Sequence, residues 1–189
     1  MKQSLFLLFL ISYSLNGIAQ NQVSSKEQAA ILYMREEEKL ARDVYDSMFA
    51  KYDVNPFGNI RMSEQIHMDK VKGLIETFKL SDPVEFKKDT QGLFTNKLLQ
   101  KYYNDLISIG NLSFTDALKV GAKIEELDIH DLNEFIKQIQ NDEIISVFNY
   151  LKIASGNHIR AFVRRLKMQD IAYSPSILSK EEFDSIITK

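Results

Sequence analysis

Apolar residues recur at three and four positions through every long segment of this chain, rather than in the two-residue alternation of a half-buried strand. With only 3 Pro and 7 Gly in 189 residues, such segments meet few interruptions, and an all-α domain is expected. Ser24 with Glu27 forms a capping-box pattern, and the helix behind it can run to about Lys51 before "YDVNPFGN" breaks it. A second helix is predicted from about Gly58 to Lys79, ahead of "SDP". A long connection follows, holding a shorter helix from about Asn96 to Ile109 that Gly110 closes. Ser113 with Asp116 opens a third long helix reaching about Gln138. Asn141 or Asp142 caps a fourth that reaches about Lys167, and Ser179 with Glu182 starts a short C-terminal one. Four long helices in two hairpins, joined by a crossover of about thirty residues, make a four-helix bundle with one long connection.

The first residues obey a different pattern. "MKQSLFLLFLISYSLNGIAQNQ" runs from one Lys through an apolar stretch, Leu5 to Ile11, to the small residues Gly17 and Ala19. That order predicts a signal peptide over residues 1–19, leaving one helical-bundle domain over residues 25–189 and a protein exported to a periplasm or the extracellular space. The alternative, an uncleaved anchor, meets the objection that the apolar run is far shorter than the roughly 20 residues needed to span a bilayer. No membrane span is expected once the signal is removed. The chain has no Cys, which removes disulfides, thiolate metal sites and thiol nucleophiles. Its 24 Lys plus Arg are balanced by 26 Asp plus Glu, interspersed along the chain, a distribution that argues against a nucleic-acid partner.

Helical phase then sorts the polar residues. At about 100° per residue, Ala30, Met34, Ala41, Val44 and Met48 form the apolar face of the first helix, with Arg35, Glu36, Lys39, Asp43 and Asp46 opposite. Of the three consecutive glutamates in "MREEEKLARDVY", Glu37 falls within the apolar face and Glu38 on its border. In "RMSEQIHMDKV" of the second helix, Glu64 and His67 lie within about 30° of the centre of the apolar stripe. Glu125 and Asp128 land on the apolar face of the third helix, while Glu126 points away. His158 lies at the edge of the stripe in the fourth. Six inward candidates result: Glu37, Glu64, His67, Glu125, Asp128 and His158. An unpaired buried carboxylate costs several kcal/mol, roughly, unless it is protonated, paired or bound to a cation. No Lys or Arg shares these stripes, whereas two divalent metals would balance four carboxylates, with neutral imidazoles as natural co-ligands. The Glu-x-x-His spacing aims both side chains of the second helix at a common centre.

The segments "MREEEKLARDVY", "NIRMSEQIHMDKV", "KVGAKIEELDI" and "SGNHIRAF" resemble an uncharacterised domain-of-unknown-function family of the ferritin-like superfamily, related in fold to the rubrerythrins. The resemblance spans about Lys26 to Ile187. It implies a ferritin-like four-helix bundle with a di-iron or related di-metal centre. In that pattern Glu37 matches the lone Glu of the first helix, Glu64 and His67 the first Glu-x-x-His, Glu125 the lone Glu of the third helix and His158 the final His. Where the pattern wants a Glu three residues before His158, this chain has Ser155; either Asp128, one turn after Glu125, supplies that carboxylate from the other helix of the pair, or the second metal is weakly held or absent.

The expected cofactor is iron, two ions, with manganese or zinc compatible with the same donors. The partners implied are metal ions and a small oxidant, dioxygen or peroxide, and the bundle is compatible with an oligomer. The leading expectation is oxidation of ferrous iron or reduction of dioxygen or peroxide. Without Cys the chain holds no rubredoxin-type site, so turnover needs an outside electron donor or a substrate that is itself the reductant. A metal store without turnover and a metal-free structural bundle are the alternatives. Tyr33 and Tyr45 are either hydrogen-bond donors or radical-quenching residues beside the ligands, or ordinary partly buried core residues, and His130 points off the stripe.

Overall fold

Ser24 caps the first helix reciprocally: its hydroxyl accepts from the Glu27 N–H at 3.3 Å, and the Glu27 carboxylate accepts from the Ser24 N–H at 2.8 Å. Two of the free donors at the helix start are thereby satisfied. In this computed structural model, which describes residues 23–188, that helix is α1, Ser25–Tyr52. It is followed by α2 (Phe57–Thr77), α3 (Pro83–Phe86), α4 (Lys97–Gly110), α5 (Phe114–Ile136), α6 (Asp142–Lys167) and α7 (Lys180–Ile187), with no strand among the described residues. The signal peptide expected over residues 1–19 lies outside the described residues.

Asn96, Ser113, Asn141 and Ser179 cap α4 to α7 with their side chains. The single-turn helix α3 was not anticipated. The Asp82 carboxylate accepts from the Val84 N–H at 2.8 Å, and Pro83 occupies the first turn, where its missing N–H costs nothing. The principal pairings are α1 with α2 and α5 with α6, two hairpins closed by short links, while α4 leans on α1 and α5.

Apolar side chains fill both ends of the bundle. One cluster gathers Val44, Tyr45, Met48, Phe57, Leu118 and Phe162, and the other Ile31, Met34, Val71, Leu74, Leu132 and Phe148. Between them every long helix interrupts its stripe with polar residues: Glu37 and Glu38, Glu64 and His67, Glu125 and Asp128, Ser155 and His158. All eight are buried. The sequence pattern therefore places one polar belt at mid-bundle, walled off above and below by hydrocarbon.

The face of α1 opposite the apolar stripe is not open to solvent, because the 78–113 crossover wraps across it. Arg35 pairs with Asp82 at 3.0 Å, the Lys39 ammonium holds Asp43 and donates to the Thr90 carbonyl at 2.9 Å, and Asp43 accepts from the Gly92 N–H at 2.8 Å. Glu36 accepts from the backbone N–H groups of Thr95 and, at 2.9 Å, Asn96. Glu126 of α5, which points away from the belt, is likewise buried, accepting from Ser176, Ile177 and Leu178 N–H groups at 2.8–3.0 Å. These acids are consumed in fastening loops to helices.

The approach of α5 to α6 depends on Gly121. A Cβ there would stand 2.3 Å from the Phe162 ring, which is itself fixed against Tyr45 and Phe57 at centroid distances of 5.3 and 5.4 Å. Gly121→Ala is expected to lower unfolding stability by about 1–3 kcal/mol, since the ring has nowhere to go. Urea melts of the two proteins measure it, and coincident curves would show that this contact is looser than described.

Candidate metal centre

The centre is built around the i, i+3 pair of α2. His67 Nδ1 lies 2.7 Å from Glu64 Oε2 and 3.1 Å from Oε2 of Glu38, which reaches across from α1. The other Glu64 oxygen, Oε1, lies 2.9 Å from His158 Nδ1 of α6, and that nitrogen is 3.5 Å from Glu125 Oε2 of α5. Two triads result, Glu38–Glu64–His67 and Glu64–Glu125–His158, each with one donor atom per residue within 4.8 Å of the others. Glu64 belongs to both and turns one oxygen toward each imidazole.

The surroundings hold these groups in place. The two rings stack with centroids 5.5 Å apart and 19° between planes. Their outer nitrogens flank the Ser63 hydroxyl, at 3.4 Å for His67 Nε2 and 3.1 Å for His158 Nε2. Each ring thus points Nδ1 at carboxylates and Nε2 at a neutral hydroxyl, the arrangement that orients an imidazole ligand. Tyr45, wholly buried, donates to Glu125 Oε1 at 2.6 Å, so it fastens a site acid as well as filling the core. Tyr33 donates instead to Asp131 at 2.9 Å.

The electrostatics are those of a crowded, dry site. Burial works against the charged form of each imidazole, but the Glu38 and Glu64 carboxylates outweigh it and push His67 up to about 12, and Glu125 and Glu64 push His158 up to about 10. Burial would also raise Glu64, yet His158 and His67 hold its carboxyl well below the usual range. Glu38 is pushed up to about 7 by burial, against the pull of His67. Burial raises Glu125, with His158 opposing, and burial with neighbouring carboxylates drives Glu37 and Asp128 far above the usual range.

A divalent cation fits these residues. Glu38 Oε1, Glu64 Oε1 and His158 Nδ1 are buried without a hydrogen-bond partner, since the 2.9 Å approach of the last two is not aligned as a hydrogen bond. A buried carboxylate oxygen left without any partner, as Glu38 Oε1 is, is rare in native proteins. The nearby buried cations are already engaged, Arg35 by Asp82 and Lys39 by Asp43. Carboxylate and imidazole donors converging on two points are a donor set for first-row divalent metals. A separate cavity of about 500 Å³, lined by Tyr102, Leu106, Lys123 and Leu127 among others, includes none of the triad residues.

Of the six residues singled out in the sequence, the structure brings Glu64, His67, Glu125 and His158 together in the triads. Glu37 and Asp128 are buried nearby but belong to neither triad. Glu38 supplies the carboxylate of α1: a long side chain at the border of the stripe swings toward α2, while Glu37 faces Asp128 and Asp131 of α5. Asp128 accepts from the Ser155 hydroxyl, so the residue at the missing-carboxylate position is in contact with the acid expected to replace it. Ser63 gave no signal in the sequence beyond its place one turn before His67. His130 is exposed, as its phase predicts.

An all-helical bundle with two buried carboxylate–histidine triads sharing one glutamate is the class of protein these features define. The chain belongs to the family described as "Uncharacterized protein domain (DUF2202)", which matches residues 27–189. It is similar to uncharacterized protein MJ0754 of Methanocaldococcus jannaschii, 44% identical over 174 residues, covering 92% of this chain and 93% of that protein. It also superimposes on the crystal structure of hypothetical protein MJ0754 from Methanococcus jannaschii with a TM-score of 0.86 and 46% identity, over 88% of this chain and 94% of that one.

Proposed function

We propose that this chain is an exported ferritin-like protein whose two triads hold two iron ions and that it oxidises ferrous iron at the expense of hydrogen peroxide or dioxygen. The observation that carries the reading is the sharing of Glu64: one buried carboxylate faces both imidazoles, so the two halves of the centre would hold their ions through a common residue. Two ferrous ions held there would give one electron each, which with two protons reduces one hydrogen peroxide to two waters or one dioxygen to hydrogen peroxide.

The chain's own residues have distinct tasks. Glu38 with His67, and Glu125 with His158, would each complete one half, with Glu64 between them. Tyr45 and Ser63 fix Glu125 and the imidazoles respectively. Burial selects the substrate: His158, the most accessible of the five, is only 9% exposed, so ions and small oxidants fit where organic substrates do not. The absence of Cys agrees with a reductant that arrives from outside, and ferrous iron is such a reductant. No described helix is long and apolar enough to cross a membrane.

The test is the metal content of protein purified after separate supply of iron, manganese and zinc, followed by mixing the ferrous form with peroxide or oxygen. Two irons per chain and repeated oxidation of added ferrous iron are expected. Protein that takes up no metal under any supply overturns the reading, and a single stoichiometric oxidation without repetition would make it a store.

A further inference from the structure

Resting on that reading of the centre, we propose that Asp131, Glu37 and Asp128 form the access path by which divalent cations pass from the surface to the triads. The path begins in the spacing of α5. Glu125, Asp128 and Asp131 follow at three-residue steps, each rising about 4.5 Å along the helix, so the triad acid is the inner end of a file of carboxylates. Exposure grades along it: Glu125 is 2% and Asp128 5% exposed, while the side chain of Asp131 reaches 18% beside His130 at 45%.

Glu37 of α1 faces this file. It is 2% exposed and neither of its carboxylate oxygens has a hydrogen-bond partner; Asp128 Oδ1 is also unpartnered. No Lys or Arg among the described residues forms an ion pair with any of the three; Asp131 accepts from the Tyr33 hydroxyl at 2.9 Å and lies 2.8 Å from His130 Nδ1. Glu36 and Glu126, by contrast, are equally buried and fully occupied by backbone N–H groups, so acids that only fasten the fold in this protein are satisfied. Among the described residues, three donors from different side chains converge only in the two triads. Glu37, Asp128 and Asp131 therefore pass a cation along rather than keep one.

Stopped-flow uptake of Co²⁺ by the metal-free protein, with final cobalt per chain measured separately, tests the path. Asp131→Asn and Glu37→Gln are each expected to slow loading by at least about tenfold, and Asp131→Asn, at the exposed end, should also flatten its dependence on ionic strength, because electrostatic focusing acts on the rate of association. Final cobalt per chain should equal that of wild type, and Glu134→Gln, an exposed change on the same helix, should load at the wild-type rate. Wild-type rates in both path variants would overturn the path alone. A lowered final stoichiometry would also overturn it, by making these residues resident ligands. A wild-type protein that binds no cobalt would overturn the path together with the centre it serves.

Discussion

Replacing Glu64 by Gln is expected to abolish metal binding at both halves of the centre at once, whereas substitutions of Glu38 or Glu125 should weaken one half each. The distinction follows from geometry: Glu64 Oε2 faces His67 and Oε1 faces His158, and it is the only residue common to the two triads. The loss should exceed the roughly 10–100-fold that follows removal of an outer partner of a ligand. The same change should destabilise the metal-free protein by about 3–5 kcal/mol, because two buried imidazolium groups lose a shared counter-ion. Glu37→Gln makes the contrast, since Glu37 has no cation beside it and burial already favours its neutral form; its fold should be as stable as wild type. Metal titrations and chemical denaturation of the metal-free variants measure both effects. If Glu64→Gln retained one tightly bound ion, the shared-carboxylate arrangement would be wrong.

The helices and most of the centre are legible in the sequence because each rests on a local rule. Ser24, Asn96, Ser113, Asn141 and Ser179 mark their helix starts by chemistry confined to a few residues. Glu64 and His67 sit so near the middle of their stripe that phase alone places them. Two features escape such rules. Helical phase compares directions from the helix axis, but a glutamate at the border of a stripe can swing either way along its flexible stem. Glu37 therefore ranked above Glu38, although Glu38 is the residue that touches His67. The second is the burial of Arg35, Glu36, Lys39 and Asp43, which depends on where a loop some fifty residues away in sequence lies down. Helical periodicity within α1 carries no information about that loop. Its only trace is the pairing itself, since charges of both signs on one helix face can be buried when Asp82, Thr90 and Gly92 arrive to meet them.

Metal binding at pH 7 is expected to release about two protons per chain from the imidazoles and a further fraction from Glu38, and the metal-free fold to lose stability as pH rises. His158 and His67 have folded values of about 10 and 12 against an ordinary 6.5. Their contribution is complete below the unfolded value and is lost as pH climbs through the folded ones. Glu38, raised from 4.5 to about 7, acts in the same direction, because its neutral form is the one the fold prefers. Glu64 acts oppositely: its stabilisation is present above its unfolded value and is lost only as pH falls below it. The metal-free protein should therefore be most stable under mildly acidic conditions and weaken from about pH 6 to pH 9, with a slope approaching about 1.4 kcal/mol per pH unit for each imidazole. A metal inverts this slope. Ligation requires neutral imidazoles, so each His gives up the proton it carries at pH 7, and affinity for the pair of ions rises with pH in the same range where the metal-free fold declines. Calorimetric titrations in buffers of different ionisation enthalpy count the protons, and thermal melts with and without metal across pH 6 to 9 give the two slopes. Binding without proton release, or metal-free stability that climbs toward pH 9, would show that the imidazoles are already neutral and that the carboxylates around them are not the ion-paired cluster described.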